Sequence, residues 1–304
     1  MIETRPTPWW LPQTPKGSFI SYNATYGDRI GKYFDRFDKD SFKCNIETPD
    51  GTFDKIDYYF HDPRKYGFDP NKKYPLIIFI HGLTNALQDE STFINYSGSE
   101  FFSTQEYQDE LGGAFILVPK ANEYNDNEVC KGSWSDGYID PLYNTINDFI
   151  NKYAKNSISK ISILAASKSL KMTYKLVVKY PELFDIFIEL SSNRLPNNSE
   201  IEIFNKNDIF FFYALCKHDE LNDYEIQVKP YLKNIKKINK HFIFLPDWIY
   251  HGNKGIASGY ELGRFEMGQH CLIVSFMVNL LFDDGTPMYD KFPKGFLNWF
   301  KTIL

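Results

Sequence analysis

The segment KISILAASKSLKMTYKLVVKYPELF, residues 160–184, constrains the fold more than any other part of the sequence. It begins with a short apolar run, residues 161–164, of the kind that forms a fully buried strand. It ends in a pattern of helical spacing, with Leu170, Tyr174, Val177 and Pro181 near one face. The small-residue cluster AASKS, residues 165–169, lies between the two. This order predicts a buried strand, a tight turn and an amphipathic helix.

Ser167 lies at the centre of the predicted turn. A serine at a strand-to-helix turn is a candidate nucleophile, and the usual pattern is G-x-S-x-G because the strained turn leaves no room for large side chains two residues before and after the serine. Those positions are Ala165 and Ser169 here, so both are small although neither is glycine. A serine is also a favoured N-cap, and this segment alone leaves both interpretations open.

Short apolar runs alternate with patterns of helical spacing along most of the chain. Predicted strands lie at residues 75–80, 114–118, 161–164, 186–190, 209–215 and 241–245, and predicted helices at 100–111, 142–153, 170–181, 222–234 and 272–281. Such an alternation predicts an α/β fold with a doubly wound, mostly parallel sheet. The runs FKCNIE and FDKIDYYF flank the turn Pro49-Asp50-Gly51 and predict an N-terminal β-hairpin at one edge.

Residues 1–40 are rich in Pro, Gly, Tyr and Asp and have weak periodicity. We interpret them as an irregular N-terminal arm on a main domain that spans residues 41–304. The final predicted helix of that domain has an apolar stripe formed by Leu272, Ile273, Phe276, Met277, Leu280 and Leu281.

Composition narrows the classes of function. The net charge of −5 gives no basic surface, so we expect no nucleic-acid partner. No apolar run is long enough to span a bilayer, and the N-terminus lacks the pattern of a signal peptide, so we expect a cytoplasmic protein without membrane contact, although a secreted protein whose signal has been removed would look the same. The cysteines form no C-x-x-C pair and are predicted to be reduced thiols: Cys44, Cys130, Cys216 and Cys271.

A serine nucleophile needs a neighbouring base that is itself oriented by an acid. The strand at residues 209–215 is followed by CKHDEL, in which Asp219 is the best candidate for the acid and Glu220 and Asp223 are competitors. Two histidines follow the last predicted strand, His251 and His270. We favour His270 because it directly precedes the final predicted helix, but His251 lies closer to the strand end.

Several segments carry a resemblance to a known family. They are YPLIIFIHG, FILVPKANEY followed by Trp134, ILAASKSLKMTYKLVVKYPELF and FYALCKHDEL, with a weaker match in GQHC and the terminal GFLNW. On these segments, which span residues 74–304, the sequence resembles the α/β-hydrolase superfamily of serine esterases. The branch it resembles most contains prolyl-oligopeptidase-like and polyhydroxybutyrate-depolymerase-like esterases. The departures are Ala165 and Ser169 in place of glycines, and Lys168 where small or apolar residues are more usual.

The resemblance implies a serine esterase that cleaves a small-molecule carboxylic ester through an acyl-enzyme. Ser167 would be the nucleophile, His270 the base and Asp219 the acid that orients it, in the chain order of this family. The oxyanion hole would consist of the backbone N–H groups of Leu83 and Lys168. Such a site needs no metal and no cofactor. An acyltransferase or peptidase with the same triad, or a non-catalytic binding protein of this fold, would share these features.

The residues expected near the cleft also predict a preference for particular esters. Residues just past the strand ends line the cleft of an open α/β sheet. Lys168, Asn193 and Arg194 are polar or cationic residues at such positions, and Trp134 and Tyr138 lie in the long loop after residue 119. An arginine can pair with a carboxylate and an aromatic wall suits a ring. We therefore predict a substrate pocket that contains Trp134 and Arg194 and prefers a small, polar, ring-bearing ester over long-chain lipids.

Overall fold

The computed structural model describes residues 19–21, 31–96, 98–258, 261–262, 265–266, 268–276 and 278–304. Most of the predicted N-terminal arm therefore lies outside the described residues.

Eight of the described strands form one sheet. In chain order the strands are β1 (Phe19–Ser21), β2 (Asp38–Thr48), β3 (Gly51–His61), β4 (Tyr74–Ile80), β5 (Phe115–Lys120), β6 (Tyr124–Asp126), β7 (Val129–Lys131), β8 (Ile158–Ala166), β9 (Ile186–Leu190), β10 (Phe210–Ala214), β11 (His241–Phe244), β12 (Ile256–Ser258), β13 (Glu261–Leu262) and β14 (Phe265–Glu266). The main sheet has the order β11-β10-β9-β8-β4-β5-β3-β2. In this order, the five pairs of neighbouring strands from β11 to β5 are parallel, whereas β3 pairs antiparallel with both β5 and β2. The predicted doubly wound, mostly parallel sheet with a hairpin edge is confirmed.

Helices cover both faces of this sheet. They are α1 (Glu90–Tyr96), α2 (Gln105–Leu111), α3 (Ile139–Tyr153), α4 (Leu170–Lys179), α5 (Asn198–Lys206), α6 (Leu232–Ile235), α7 (Ile273–Phe276) and α8 (Gly295–Lys301). One apolar core contains residues of α3, α4, α5 and α6, and the other contains residues of α1, α2, α7 and α8. Alternate residues of β8 enter the two cores, because successive side chains of a strand point to opposite faces. A sheet buried on both faces explains the nearly continuous apolar runs of its parallel strands.

Three predicted helices are shorter than expected. The segment predicted at residues 100–111 consists of a 3₁₀ turn at Glu100–Ser103 and then α2, and residues 224–235 form three short consecutive turns. The predicted final helix is wrong beyond its first turn, because the chain leaves α7 through Asn279 and Leu280, whose φ angles are 58° and 56°. Met277, which belongs to the predicted stripe, lies outside the described residues.

The strand order fixes where loops can meet. β4 and β8 are neighbours at the centre of the sheet, and the chain continues from β4 to β5 on one side and from β8 to β9 on the other. This reversal of direction opens a crevice at the carboxyl ends of the strands, where α/β proteins bind their ligands. The loops that follow β4, β8, β9 and β10 all begin at this edge.

Candidate active site

Ser167 occupies a strained turn between β8 and α4. A single 3₁₀ turn, Ser167–Ser169, joins the two elements, and Ser167 has a left-handed φ of 56°. An L-residue in this conformation costs about 1–2 kcal/mol, so the surrounding structure must hold it there. Ser169 is buried and ties the turn by donating its hydroxyl to Ala166 O over 2.9 Å, and Ala165 before the turn is fully buried. Small residues other than glycine therefore fit this turn.

The turn presents the Ser167 hydroxyl to His270. His270 Nε2 lies 2.9 Å from Ser167 Oγ. The other ring nitrogen, Nδ1, lies 2.9 Å from Asp219 Oδ2 and 3.0 Å from Asp219 Oδ1. The three predicted residues thus form one hydrogen-bonded chain from hydroxyl to carboxylate. His251, the competing histidine, is buried in the loop before β12, where its backbone N–H donates to Gly255 O over 2.9 Å.

Asp219 is held by the loop after β10. It is fully buried, and its Oδ1 accepts hydrogen bonds from Leu221 N over 2.8 Å and from Asn222 N over 2.9 Å. These contacts orient the carboxylate toward His270. Asp223, one of the two other acid candidates, accepts from Ile226 N over 3.1 Å and begins the next turn instead.

Glu220, the remaining acid candidate, has a different place in the site. Its Oε1 accepts from Gln269 N over 2.9 Å and its Oε2 accepts from His270 N over 2.6 Å. One carboxylate therefore holds the backbone that carries His270. The Gln269 side chain holds the same loop from the other side, accepting from Ile249 N over 2.7 Å and donating to Ala257 O over 2.7 Å. Sequence order gave no sign of this bridge, because it joins positions 49 and 50 residues apart.

The environment of His270 raises its pKa above the usual 6.5. Burial by itself lowers that pKa, but the charge of Asp219 and its hydrogen bond together outweigh the burial. A histidine of raised pKa is a stronger proton acceptor, and it can still be neutral at mildly alkaline pH.

The loop after β4, residues 81–86, lies beside Ser167, and we call it the β4 loop. A Cβ placed on Gly82 would lie 3.7 Å from Ser167 Cβ. The His81 ring is buried and tied at both nitrogens: Nδ1 donates to Gly82 O over 2.7 Å, and Nε2 accepts from Ala121 N over 3.0 Å. Burial lowers the pKa of His81 to about 4, so this ring is neutral and supports the loop. Leu83, one predicted oxyanion donor, follows Gly82 directly, and Lys168, the other, follows Ser167 with an exposed side chain.

A cavity of 180 Å³ opens beside Ser167. Its lining combines small polar side chains with one leucine: Ser167, Ser191, Ser192, Asn193, Leu221, Asn222 and His270. Leu221 is 41% exposed at this cavity. The sequence predicts Asn193 near the cleft but not Ser191, Ser192 or Asn222, since nothing in a Ser-Ser or Asn-Asp pair marks a pocket.

The structure does not bring the two predicted pocket residues to this cavity. Trp134 is 5% exposed, and its Nε1 donates to His81 O over 3.1 Å, so its ring packs behind the β4 loop. Arg194 forms an ion pair with Glu200 and stacks over the Tyr174 ring, with its Cζ 3.5 Å from the ring centroid. Both residues are paired within the fold, so neither the Trp134 ring nor the Arg194 guanidinium lines the cavity at Ser167.

Tyr138, also expected in that wall, is fully buried. Its hydroxyl accepts from Asn122 N over 2.9 Å and donates to Gly132 O over 3.1 Å. Its role in the described structure is to join the loop after β5 to the turn before α3.

Metal-binding groups, membrane-spanning helices and disulfides were sought among the described residues. They contain no group of three His, Cys, Asp or Glu side chains placed to hold a metal ion. Among them no helix is long and apolar enough to cross a membrane. The four cysteines are all free thiols, and Cys216 and Cys271 are buried.

Comparison with known proteins gives similar structures but no sequence match. No family model and no curated protein matches the sequence. A thermostable esterase aligns with a TM-score of 0.53 and 18% identity, over 82% of this chain and 61% of its own length, so this chain spans less than two thirds of that protein. A ferulic acid esterase aligns with a TM-score of 0.47 and 13% identity, over 70% of this chain and 90% of its own. A peroxisomal alpha-beta-hydrolase from Saccharomyces cerevisiae aligns with a TM-score of 0.45 and 10% identity, over 70% and 83%. At these identities, the likeness concerns the fold.

Proposed function

Because the chain has the α/β-hydrolase fold and joins a serine, a histidine and an aspartate by hydrogen bonds at its switch point, we propose that it is a serine hydrolase that cleaves carboxylic esters. The observation that carries the proposal is the 2.9 Å contact between Ser167 Oγ and His270 Nε2, made by a serine whose φ is 56°. A serine that only began a helix would have no reason to occupy this strained conformation opposite a buried histidine–aspartate pair.

In the proposed mechanism, Ser167 Oγ attacks the ester carbonyl carbon while His270 Nε2 takes the hydroxyl proton. The carbonyl oxygen becomes an oxyanion and accepts hydrogen bonds from Leu83 N–H and Lys168 N–H. The carbon–oxygen bond to the alcohol then breaks, and His270 gives its proton to the leaving alcohol. Water next attacks the acyl-enzyme while His270 takes one of its protons. The bond between the acyl carbon and Ser167 Oγ then breaks, His270 returns the proton to Ser167 Oγ, and the carboxylic acid leaves. Asp219 holds the ring and stabilises the imidazolium in both halves.

The cavity supports a proposal about the substrate. Its volume of 180 Å³ suits a small acyl group, and its serine and asparagine lining offers hydrogen bonds to polar substituents. We expect esters of short or polar acids to be better substrates than long-chain lipid esters. The preference for a ring loses its support, because Trp134 and Arg194 are engaged elsewhere.

The proposal is tested by labelling with a fluorophosphonate probe and by hydrolysis of an aryl acetate. We expect the wild type to react with the probe at Ser167 and to hydrolyse the ester, and Ser167→Ala to lose both by at least about 10³-fold while its circular dichroism is unchanged. Ser199→Ala, at an exposed serine of α5, is the matched control and should behave as the wild type. A wild type that is neither labelled nor active would favour a non-catalytic binding protein, and turnover by folded Ser167→Ala would remove Ser167 from the mechanism.

A further inference from the structure

Glu123 lies behind the β4 loop, in the segment that follows β5. Its Oε1 accepts a hydrogen bond from Thr84 N over 3.2 Å, and its Oε2 accepts one from Ala86 N over 3.0 Å. One carboxylate therefore binds two backbone N–H groups of the β4 loop. The segment that carries Glu123 is itself tied to this loop, because Ala121 N donates to His81 Nε2 over 3.0 Å.

The β4 loop needs such support. Thr84 has a φ of 68°, which is a left-handed conformation that β-branched residues strongly disfavour. The intrinsic preference of the chain at Thr84 thus opposes the observed turn, and contacts from outside the loop must maintain it. The hydrogen bond from Thr84 N to Glu123 is one such contact at the strained residue itself.

The position of the strain matters for the proposed oxyanion hole. Leu83 lies between Gly82, which is beside Ser167, and Thr84, which is held by Glu123. Thr84 N belongs to the peptide group that follows Leu83. Rotation of the backbone at Thr84 would therefore move Leu83 and, through it, the preceding peptide group, which carries the Leu83 N–H. A donor that acts on the oxyanion must be aimed at it beforehand, since its value depends on fixed geometry.

We propose that Glu123 is a positioning residue, which holds the β4 loop in the conformation that aims the Leu83 N–H at the oxyanion. This inference rests on the proposed function, because that function gives the Leu83 N–H its task. Glu123 itself is not one of the residues that line the cavity beside Ser167.

Kinetics distinguish this role from simple support of the fold. An oxyanion exists only in the transition state and intermediates, so a poorly aimed donor lowers kcat and leaves substrate binding unchanged. Loss of a whole donor typically costs about 10²–10³-fold, and a loosened one should cost less. We expect Glu123→Gln to lower kcat by roughly 10–100-fold with KM within about twofold, because the amide offers one acceptor and turns an N–H₂ group toward the second backbone donor.

The stability of the protein should respond to Glu123→Gln differently from kcat. Burial raises the pKa of Glu123 to about 7, against the hydrogen bonds from Ala86 and Thr84. The titratable groups that face it are the Lys120 ammonium, the Cys130 thiol and the Tyr138 phenol. Since the folded protein disfavours the charged carboxylate, a neutral glutamine at this position should not lower the melting temperature at pH 8. The carboxylate is thus expected to serve activity at the expense of stability.

The experiment measures kcat, KM and the melting temperature at pH 8 for the wild type, Glu123→Gln, Glu123→Asp and Glu128→Gln with an aryl acetate. Glu128 is an exposed glutamate in the β6–β7 hairpin, so Glu128→Gln makes the same charge change away from the β4 loop and should match the wild type. Glu123→Asp keeps the charge but is one methylene too short to bridge both N–H groups, and it should also lose kcat at constant KM. Glu123→Asp replaces Glu123→Gln as the test variant if Glu123→Gln does not fold.

The outcomes separate this inference from the proposed function. A fall in kcat alone, without a fall in melting temperature, supports the positioning role. An active wild type with both Glu123 variants at full kcat, or with kcat falling only together with the melting temperature, overturns the inference and leaves the esterase proposal standing. A wild type that neither hydrolyses the ester nor reacts with the fluorophosphonate probe overturns both.

Discussion

At the scale of single residues, the Asp219–His270 pair determines how the site should respond to pH. Asp219 is fully buried and its charge raises the pKa of His270, whereas burial alone lowers that pKa. The proposed base acts only when its ring is neutral, so kcat/KM should fall as pH decreases through the His270 pKa. The midpoint of this acid limb is expected above pH 6.5 in the wild type, on the side to which Asp219 moves it.

Asp219→Asn should reverse that shift. The asparagine removes the negative charge and leaves the burial, so the acid limb of kcat/KM should move below pH 6.5 while kcat falls by about 10³–10⁴-fold from loss of the correct tautomer. The measurement is the pH profile of ester hydrolysis between pH 5 and 9. Asp223→Asn, at the nearby carboxylate that accepts from Ile226 N, is the control and should keep the wild-type midpoint. An unchanged midpoint in Asp219→Asn would show that Asp219 does not set the His270 pKa.

Some residues of the site could be predicted from the sequence, and others could not. Ser167, Asp219 and His270 were predictable because each follows an apolar run or precedes a helix in a recognisable order. Glu123 and Glu220 were not, because they act through backbone N–H groups of other loops, and any residue type at those loop positions would offer the same N–H groups. Arg194 was misplaced for a related reason: its partner Glu200 lies in the first turn of α5, and no pattern of charges shows that the two side chains meet.

At the scale of secondary-structure elements, the C-terminal helix α8 depends on a residue outside it. Asn279 O accepts from Phe296 N over 2.9 Å, and Asn279 Oδ1 accepts from Leu297 N over 2.7 Å. These are two of the N–H groups that a helix cannot satisfy in its own first turn. Asn279 also has a φ of 58°, a conformation that asparagine tolerates better than most residues.

Asn279→Ala should therefore destabilise the protein by about 1–2 kcal/mol, because it removes a side-chain cap and places alanine in a left-handed conformation. Chemical denaturation measures this change in the free energy of unfolding. Asn298→Ala, at an exposed position of α8, should stay within about 0.5 kcal/mol of the wild type. Equal effects of the two substitutions would mean that the cap does not stabilise α8.

The turn at Asn279 and Leu280 explains why the prediction of secondary structure failed near the C-terminus. The parallel strands were found because burial on both faces makes them continuous apolar runs, and this signal does not depend on distant residues. The helix predicted at residues 272–281 failed because its apolar residues at helical spacing pack into the core through a turn with two residues at positive φ. Periodicity reports which residues are buried, and both a helix and a folded loop can bury them.

At the scale of the whole molecule, buried carboxylates link activity to stability. Glu189 is fully buried in β9, accepts from Tyr174 OH over 2.5 Å, and has a pKa raised to about 8 by burial. Burial also raises the pKa values of Glu123 and Glu220 to about 7. In the unfolded chain these glutamates titrate near 4.5. Around neutral pH, the folded protein therefore binds more protons at these residues than the unfolded chain does.

Two buried histidines limit the pH range in which the effect of the three glutamates on stability can be observed by itself. Burial lowers the pKa values of His61 and His81 to about 4, so below pH 6.5 the unfolded chain binds more protons at these rings than the folded protein does. Their effect on stability opposes that of the glutamates there. Above pH 6.5 both rings are neutral in the folded protein and increasingly neutral in the unfolded chain, so their opposing effect declines as pH rises. The raised pKa of His270 acts in the same direction as the glutamates.

Between pH 6.5 and 8, stability should consequently fall as pH rises, although the proposed activity should rise over the same range. One proton per pH unit corresponds to about 1.4 kcal/mol, so the three glutamates together should lower the free energy of unfolding by roughly 2–3 kcal/mol across this window. Urea denaturation at several pH values measures the slope. Glu189→Gln removes the group with the highest pKa of the three and should reduce the fall by about half, whereas Glu182→Gln, at an exposed glutamate, should leave it unchanged. A stability that stays constant or increases from pH 6.5 to 8 would mean that these carboxylates are already ionised in the folded protein at pH 6.5. The expectation that Glu123→Gln does not lower the melting temperature at pH 8 would then have no basis.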